Sequence, residues 1–122
     1  KNMGDGWETR RSRGKNFDWL IIKMSQAGKI NKIEIDTHHF KGNYPDRCSV
    51  QGTYISKKLS NNSIVKKSNK WKTLVNKAKL HPHKKHNFKN KTIKINKVNY
   101  LRINIYPDGG ISRIRTFGKA IK

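Results

Sequence analysis

The stretch LRINIY, Leu101 to Tyr106, decides the fold. Leu101, Ile103 and Ile105 alternate with Arg102, Asn104 and Tyr106. A period of two sends successive side chains to opposite faces of an extended chain, so this is a strand with one packed face and one polar face. Pro107 to Gly110, PDGG, follows and reads as a turn. Ser112 to Gly118 then reads as a last strand, with Arg113, Arg115 and Phe117 on one face.

The same pattern continues upstream. Phe17 to Met24, FDWLIIKM, is a short apolar run rich in β-formers that ends near Gly28, as a buried strand does. Ile33, Ile35 and Thr37 alternate with Glu34 and Asp36, giving one packed face and one carrying carboxylates. Val50 to Ser56 resumes strand character, and Trp71 to Val75 suits a short strand. Between them lie loops by composition: Gly4 to Arg11, Asp36 to Pro45, the Lys, Ser and Asn stretch Lys57 to Lys70, and the basic stretch Lys77 to Lys91. No segment shows convincing helical amphipathicity, and no internal repeat is present. Short strands separated by Gly, Pro and Asn turns predict an all-β sandwich or barrel.

Composition bounds the rest. The 122 residues suffice for one domain with one modest core. The net charge of +22 invites a nucleic-acid reading. Yet 22 of the 29 basic residues are Lys, spread between the structured segments alongside 13 Asn, while Ile outnumbers Leu 14 to 5. Lys, Asn and Ile share AT-rich codons, so base composition alone produces this pattern. The aromatics sit in the structured blocks and do not interleave with the Lys runs, which leaves stacking on nucleic acid weakly supported. Cys48 is the lone cysteine, which excludes an internal disulfide and fits a reducing compartment and a packed thiol. No apolar stretch approaches membrane-spanning length.

The candidate chemistry is concentrated. GDGWETRR, Gly4 to Arg11, joins a large aromatic, a carboxylate and paired guanidinium groups, with Arg13 close behind. These are the parts of a site for a small planar anion, or equally of a loop pinned by ion pairs to Glu8 or Asp5. Of only seven acidic residues, Glu8 and Asp36 lie in polar, aromatic-bearing segments and are the better candidates for acid–base work. His81, His83 and His86 have short spacings that could ligate a metal with Glu34, Asp36 or His39, or they are simply polar loop residues. A phosphate loop, a CxxC pair and a GxSxG elbow are all missing from the sequence.

Four segments together resemble the allantoicase family: NMGDGWETRRSR (Asn2 to Arg13), FDWLIIKM (Phe17 to Met24), IEIDTHHFKGNYPDRCSVQG (Ile33 to Gly52) and LRINIYPDGGISRIRTFG (Leu101 to Gly118). Their order and spacing also match. Trp71 with Leu74, and Leu80 with His86 and Phe88, are similar to the family's weaker middle block. Family members carry two such repeats in tandem, and HFKGNYPDRCSVQG looks more like the second. The family's repeat starts some tens of residues upstream of GDGWETRR, so residues 1–122 are expected to form a single repeat lacking its N-terminal part.

The resemblance implies a jelly-roll β-sandwich of the galactose-binding type and hydrolysis of allantoate to ureidoglycolate and urea, a step in purine degradation. It implies Glu8, Asp36 and His39 for acid–base work or polarisation of water. Arg10, Arg11 and Arg113 would bind the carboxylate or ureido groups. Trp7 and Phe40 would wall the pocket, with Asn43 and His86 as further substrate contacts. The expected setting is a cytoplasmic homo-oligomer with no cofactor, a divalent metal being the open alternative. A non-catalytic ligand or subunit-interaction module on the same sandwich, and a polyanion binder, are the competing readings.

Overall fold

A computed structural model describes residues 17–37, 46–89, 97–106, 111 and 113–120, together with the backbone of 9–13. Among these residues the chain forms β1 (Thr9–Arg13), β2 (Asp18–Asp36), β3 (Arg47–Thr53), α1 (Asn61–Ser68), β4 (Lys72–Lys79), β5 (Lys85–Lys89), β6 (Val98–Tyr106) and β7 (Arg113–Ala120). All the pairings between these strands are antiparallel.

The long strand β2 organises the sandwich. Its first part lies between β1 and β6 and continues the order β1-β2-β6-β3-β4. Its second part lies between β5 and β7. The change of partners falls where the register with β6 jumps from Lys23↔Tyr100 to Gly28↔Val98. Five steps along β2 there meet two along β6, and extra residues bend a strand and raise its twist. One hydrogen-bonded sheet thereby folds over into two layers that share β2.

The core lies between the layers. Ile22, Ile33, Ile35, Val50, Leu101, Ile103 and Ile114 pack there with Cys48. Burial pushes the Cys48 thiol up to about 12, which makes it an inert packing group. Gly118 lies so close to β2 that a Cβ there would come 1.9 Å from the Lys29 carbonyl oxygen.

Three sequence expectations are corrected. Thr9 to Arg11, the end of the expected loop, belong to an edge strand, Thr9–Arg13. The stretch Lys57 to Lys70, read as solvated loop in a chain without helices, holds α1. Ser60 caps it, accepting the Ser63 amide at 3.2 Å, and Ile64 and Ser68 are its buried residues. The basic stretch Lys77 to Lys91 contains the end of β4 and all of β5, because Phe88 has Ile33 to pack against across β2.

The polar face of LRINIY is also buried. Arg102 lies with its guanidinium carbon 4.9 Å from the Trp19 ring centroid. Its Nε donates to Asn104 Oδ1 at 2.9 Å and its Nη1 to Ser68 Oγ at 2.7 Å. Asn104 Nδ2 donates to Gln51 Oε1 at 3.0 Å and to Ser49 Oγ at 3.2 Å. Gln51 Nε2 in turn donates to the carbonyls of Asn69 and Trp71, just past the helix. This network fastens α1 to the outside of the first layer. Burial pulls the Arg102 guanidinium below its ordinary pKa.

Candidate functional site

Several connections meet at one end of the sandwich. Asp18 pairs with Ile105 at the end of the first layer, and Arg47 with Tyr106 beside it. The Asp46 amide donates to the Tyr106 carbonyl at 2.9 Å, and the Leu80 amide to the Asp46 carbonyl at 2.9 Å. One residue on, the His81 carbonyl accepts from Thr37 Oγ1 at 2.6 Å, which brings in the end of β2. Lys84 N donates to the same Thr37 hydroxyl at 3.1 Å. Thr37 and Asp46, the residues flanking 38–45, are therefore close neighbours. Tyr106 and Arg113, which bound the segment between β6 and β7, lie at the same end, as do Arg13 and Asp18.

On the outward face of the second layer, Asp36 stands directly opposite Arg113 on β7 and Lys85 on β5. Glu34, two residues earlier, stands opposite Arg115 and Asn87. Arg113, Arg115 and Phe117 share this face, as their spacing predicts. The polar face of this part of β2 is not solvated, since Glu34 and Asp36 are both more than nine-tenths buried. Arg115 Nε lies 3.7 Å from Glu34 Oε2, and neither buried atom has a hydrogen-bond partner among the described residues. A donor and an acceptor thus face each other just beyond hydrogen-bond length. Two carboxylates, each opposed by a guanidinium, can hold an anionic or amide-bearing group and exchange protons with it.

His86 falls on the other face of the same layer, opposite Ile35, whose partner on the far side is Ile114. Its Nε2 accepts the His81 amide at 2.8 Å, so Nδ1 carries the proton and donates to the Ile35 carbonyl at 3.0 Å. Both ring nitrogens are taken by backbone groups, leaving neither for a substrate. Desolvation is the main cause lowering the His86 pKa, which keeps the ring neutral as this geometry requires. Among the described residues no group of three His, Cys, Asp or Glu side chains converges as a metal site would need.

The other expected site residues divide in two. Arg10 pairs with Ile21 and Arg11 with Leu20 along the backbone of β1. Trp7, Glu8, His39, Phe40 and Asn43 lie outside the described residues. Thr9, which follows Glu8, pairs with Ile22, four rows from the Arg13–Asp18 pair at the loop end. Sequence reasoning missed Glu34 and Arg115 as a site pair. The signal was present in the two-residue spacing from Asp36 and Arg113, but the register that joins the rows is not written in either strand alone.

A family model described as the allantoicase repeat matches residues 1–121. The chain belongs to the allantoicase repeat family. A probable allantoicase of Stutzerimonas stutzeri is 45% identical over 122 residues, covering 100% of the chain and 37% of that protein. Probable allantoicase 1 of Burkholderia mallei is 48% identical over 117 residues, covering 96% of the chain and 34% of that protein. The chain spans little more than a third of these relatives' length. The crystal structure of allantoicase from Saccharomyces cerevisiae superposes with a TM-score of 0.67 at 36% identity, covering 97% of the chain and 33% of that structure. An F5/8 type C domain from Bacteroides fragilis superposes with a TM-score of 0.62 at 13% identity, covering 97% of the chain and 78% of that domain, a likeness of fold alone. The allantoicase repeat here is therefore a β-sandwich of the galactose-binding type. No helix among its described residues is long and apolar enough to cross a membrane.

Proposed function

We propose that this repeat belongs to an enzyme that hydrolyses allantoate to ureidoglycolate and urea. The match of residues 1–121 to the allantoicase repeat carries the reading. Allantoate has a carboxylate and two ureido arms on one carbon. Hydrolysis breaks one carbon–nitrogen bond, delivers water oxygen to that carbon and returns a proton to the departing urea nitrogen. The group that takes the water proton needs an ionised form, and Asp36 is a carboxylate at the loop end. Arg113 opposite it supplies charge for the substrate carboxylate. Glu8 and His39 are the further acid–base candidates and Arg10 and Arg11 further anion-binding candidates, with Trp7, Phe40 and Asn43 around the substrate. The reading needs no cofactor. It places the enzyme in the cytoplasm as a homo-oligomer, in keeping with the lone, buried Cys48.

The test is urea release from allantoate by the purified full-length protein. Turnover that falls sharply in Asp36→Asn supports the reading. Binding of allantoate without turnover assigns the repeat to a non-catalytic module and overturns it.

A further inference from the structure

We infer that the cleft beneath the N-terminal turn of α1 is a binding site for a small phosphate or diphosphate group, separate from the loop end. The cleft has a volume of about 550 Å³, within the range of small-molecule sites. Lys23, Lys57 and Lys58 line it, and no carboxylate does. All three lysines are exposed. A concave surface lined by one sign of charge focuses its field, so three ammonium groups there gather an anion more strongly than the same groups on a convex face. The charge of +22 is thus not only spread over solvated loops, because part of it converges.

The cleft is built rather than accidental. Asn99 Oδ1 accepts the Ile55 amide at 2.8 Å, and Asn99 Nδ2 donates to the Ile55 carbonyl at 2.8 Å. That pair holds the segment leading to Lys57 against β6. Ile64 anchors the helix on the opposite wall, and the Arg102–Ser68 bond fixes the helix's far end. Lys97 Nζ lies 4.2 Å from the Tyr54 ring centroid, adding a fourth cation at the rim.

The kind of charge selects the ligand. Lys ammonium groups are compact point charges with rotatable donors, which suit a tetrahedral phosphate; the planar fork of Arg, which suits a carboxylate, is missing from the lining. Allantoate has a single carboxylate, too little charge for three lysines. Position separates the sites too. Lys23 pairs with Tyr100, five rows from the Asp18–Ile105 pair at the loop end, a distance of about 17 Å along the strands.

The test is calorimetric titration of the full-length protein with sodium pyrophosphate and with inorganic phosphate at fixed ionic strength. The parent is compared with Lys57→Gln/Lys58→Gln, whose positions are exposed and tolerate the change. Pyrophosphate is expected to bind the parent more tightly than phosphate, and at least about tenfold more tightly than it binds the variant. Urea release from allantoate is expected to be unchanged by the double substitution, and it reports on the enzymatic reading independently. Absence of pyrophosphate binding, or equal affinity in parent and variant, overturns the site. So does a single-stranded oligonucleotide that binds both proteins alike with steep salt dependence, since that assigns the charge to an extended polyanion surface.

Discussion

Arg102 stacks on Trp19 while its Nη1 donates to Ser68 at 2.7 Å, so one guanidinium joins the first layer of the sandwich to the end of α1. Among the described residues no carboxylate partners it; its hydrogen-bond acceptors there are the neutral Asn104 and Ser68. Removing the side chain leaves both acceptors short of a donor and opens space beside Trp19. Arg102→Ala is expected to destabilise the fold by about 3 kcal/mol. Arg102→Lys keeps the charge but loses the two-pronged geometry, and is expected to cost about half as much. Urea unfolding midpoints at unchanged slope measure both.

His86 gives the fold a pH dependence whose sign follows from its bonds. Its folded pKa is lowered from 6.5, chiefly by desolvation. The unfolded chain therefore binds the extra proton first as pH falls. The contribution of neutral His86 is complete above about pH 6.5 and is lost as pH drops through the lowered folded value. Protonated Nε2 can no longer accept the His81 amide, so the turn between β4 and β5 loosens with it. Thermal unfolding of parent and His86→Gln between pH 8 and pH 5 checks this. The parent is expected to lose more stability than the variant across that range, and parallel curves would remove His86 as the source.

The alternation in LRINIY and in Ile33 to Thr37 made the strands and their core faces legible, because burial on one side imposes a period that any strand must show. It did not make the opposite faces legible. Arg102, Asn104, Glu34 and Asp36 look solvated in the sequence and are buried; for Arg102 and Asn104 the partners come from distant segments, Ser68, Ser49 and Gln51. The α1 residues NNSIVKKS have too little apolar content to announce a helix, and Ile64 is its one large buried anchor. Asp36 and Arg113 were both legible as candidates from their motifs, whereas their direct pairing needed the β2–β7 register. His86 was legible as unusual, but its service to the backbone was not.

Gly118 tests the packing of β7 on β2. A Cβ there would meet the Lys29 carbonyl carbon at 2.9 Å as well as its oxygen at 1.9 Å, and both are backbone atoms that cannot rotate aside. Gly118→Ala must therefore push β7 off β2 near Ile30. The expected cost is at the upper end of overpacking, about 3 kcal/mol. A matched Ala at exposed Lys119 is expected to fall within about 0.5 kcal/mol of the parent. A Gly118→Ala protein as stable as the parent would mean that the strands sit farther apart than this geometry has them.

The two carboxylate rows on the second layer separate turnover from scaffolding. Asp36→Asn keeps the shape of the side chain and removes its capacity to take a proton, so kcat for allantoate is expected to fall by about 10²–10⁴ with little change in KM. Arg113→Met removes the charge that the proposed reading sets against the substrate carboxylate, and KM is expected to rise by about 10- to 100-fold. Glu34→Gln acts two rows farther from the loop end. It takes the anion away from Arg115, whose buried Nε has no hydrogen-bond partner among the described residues, although the side chain as a whole is 30% exposed. Its main expected effect is on stability, about 1 kcal/mol because solvent screens the part-exposed Arg115, with kcat lowered far less than in Asp36→Asn. Steady-state kinetics with urea detection, run beside urea unfolding of the same three variants, decide the division. If Glu34→Gln abolishes turnover in a fully folded protein while Asp36→Asn spares it, the proton-handling carboxylate is Glu34, and the reacting carbon lies two rows deeper along β2 than Asp36 requires.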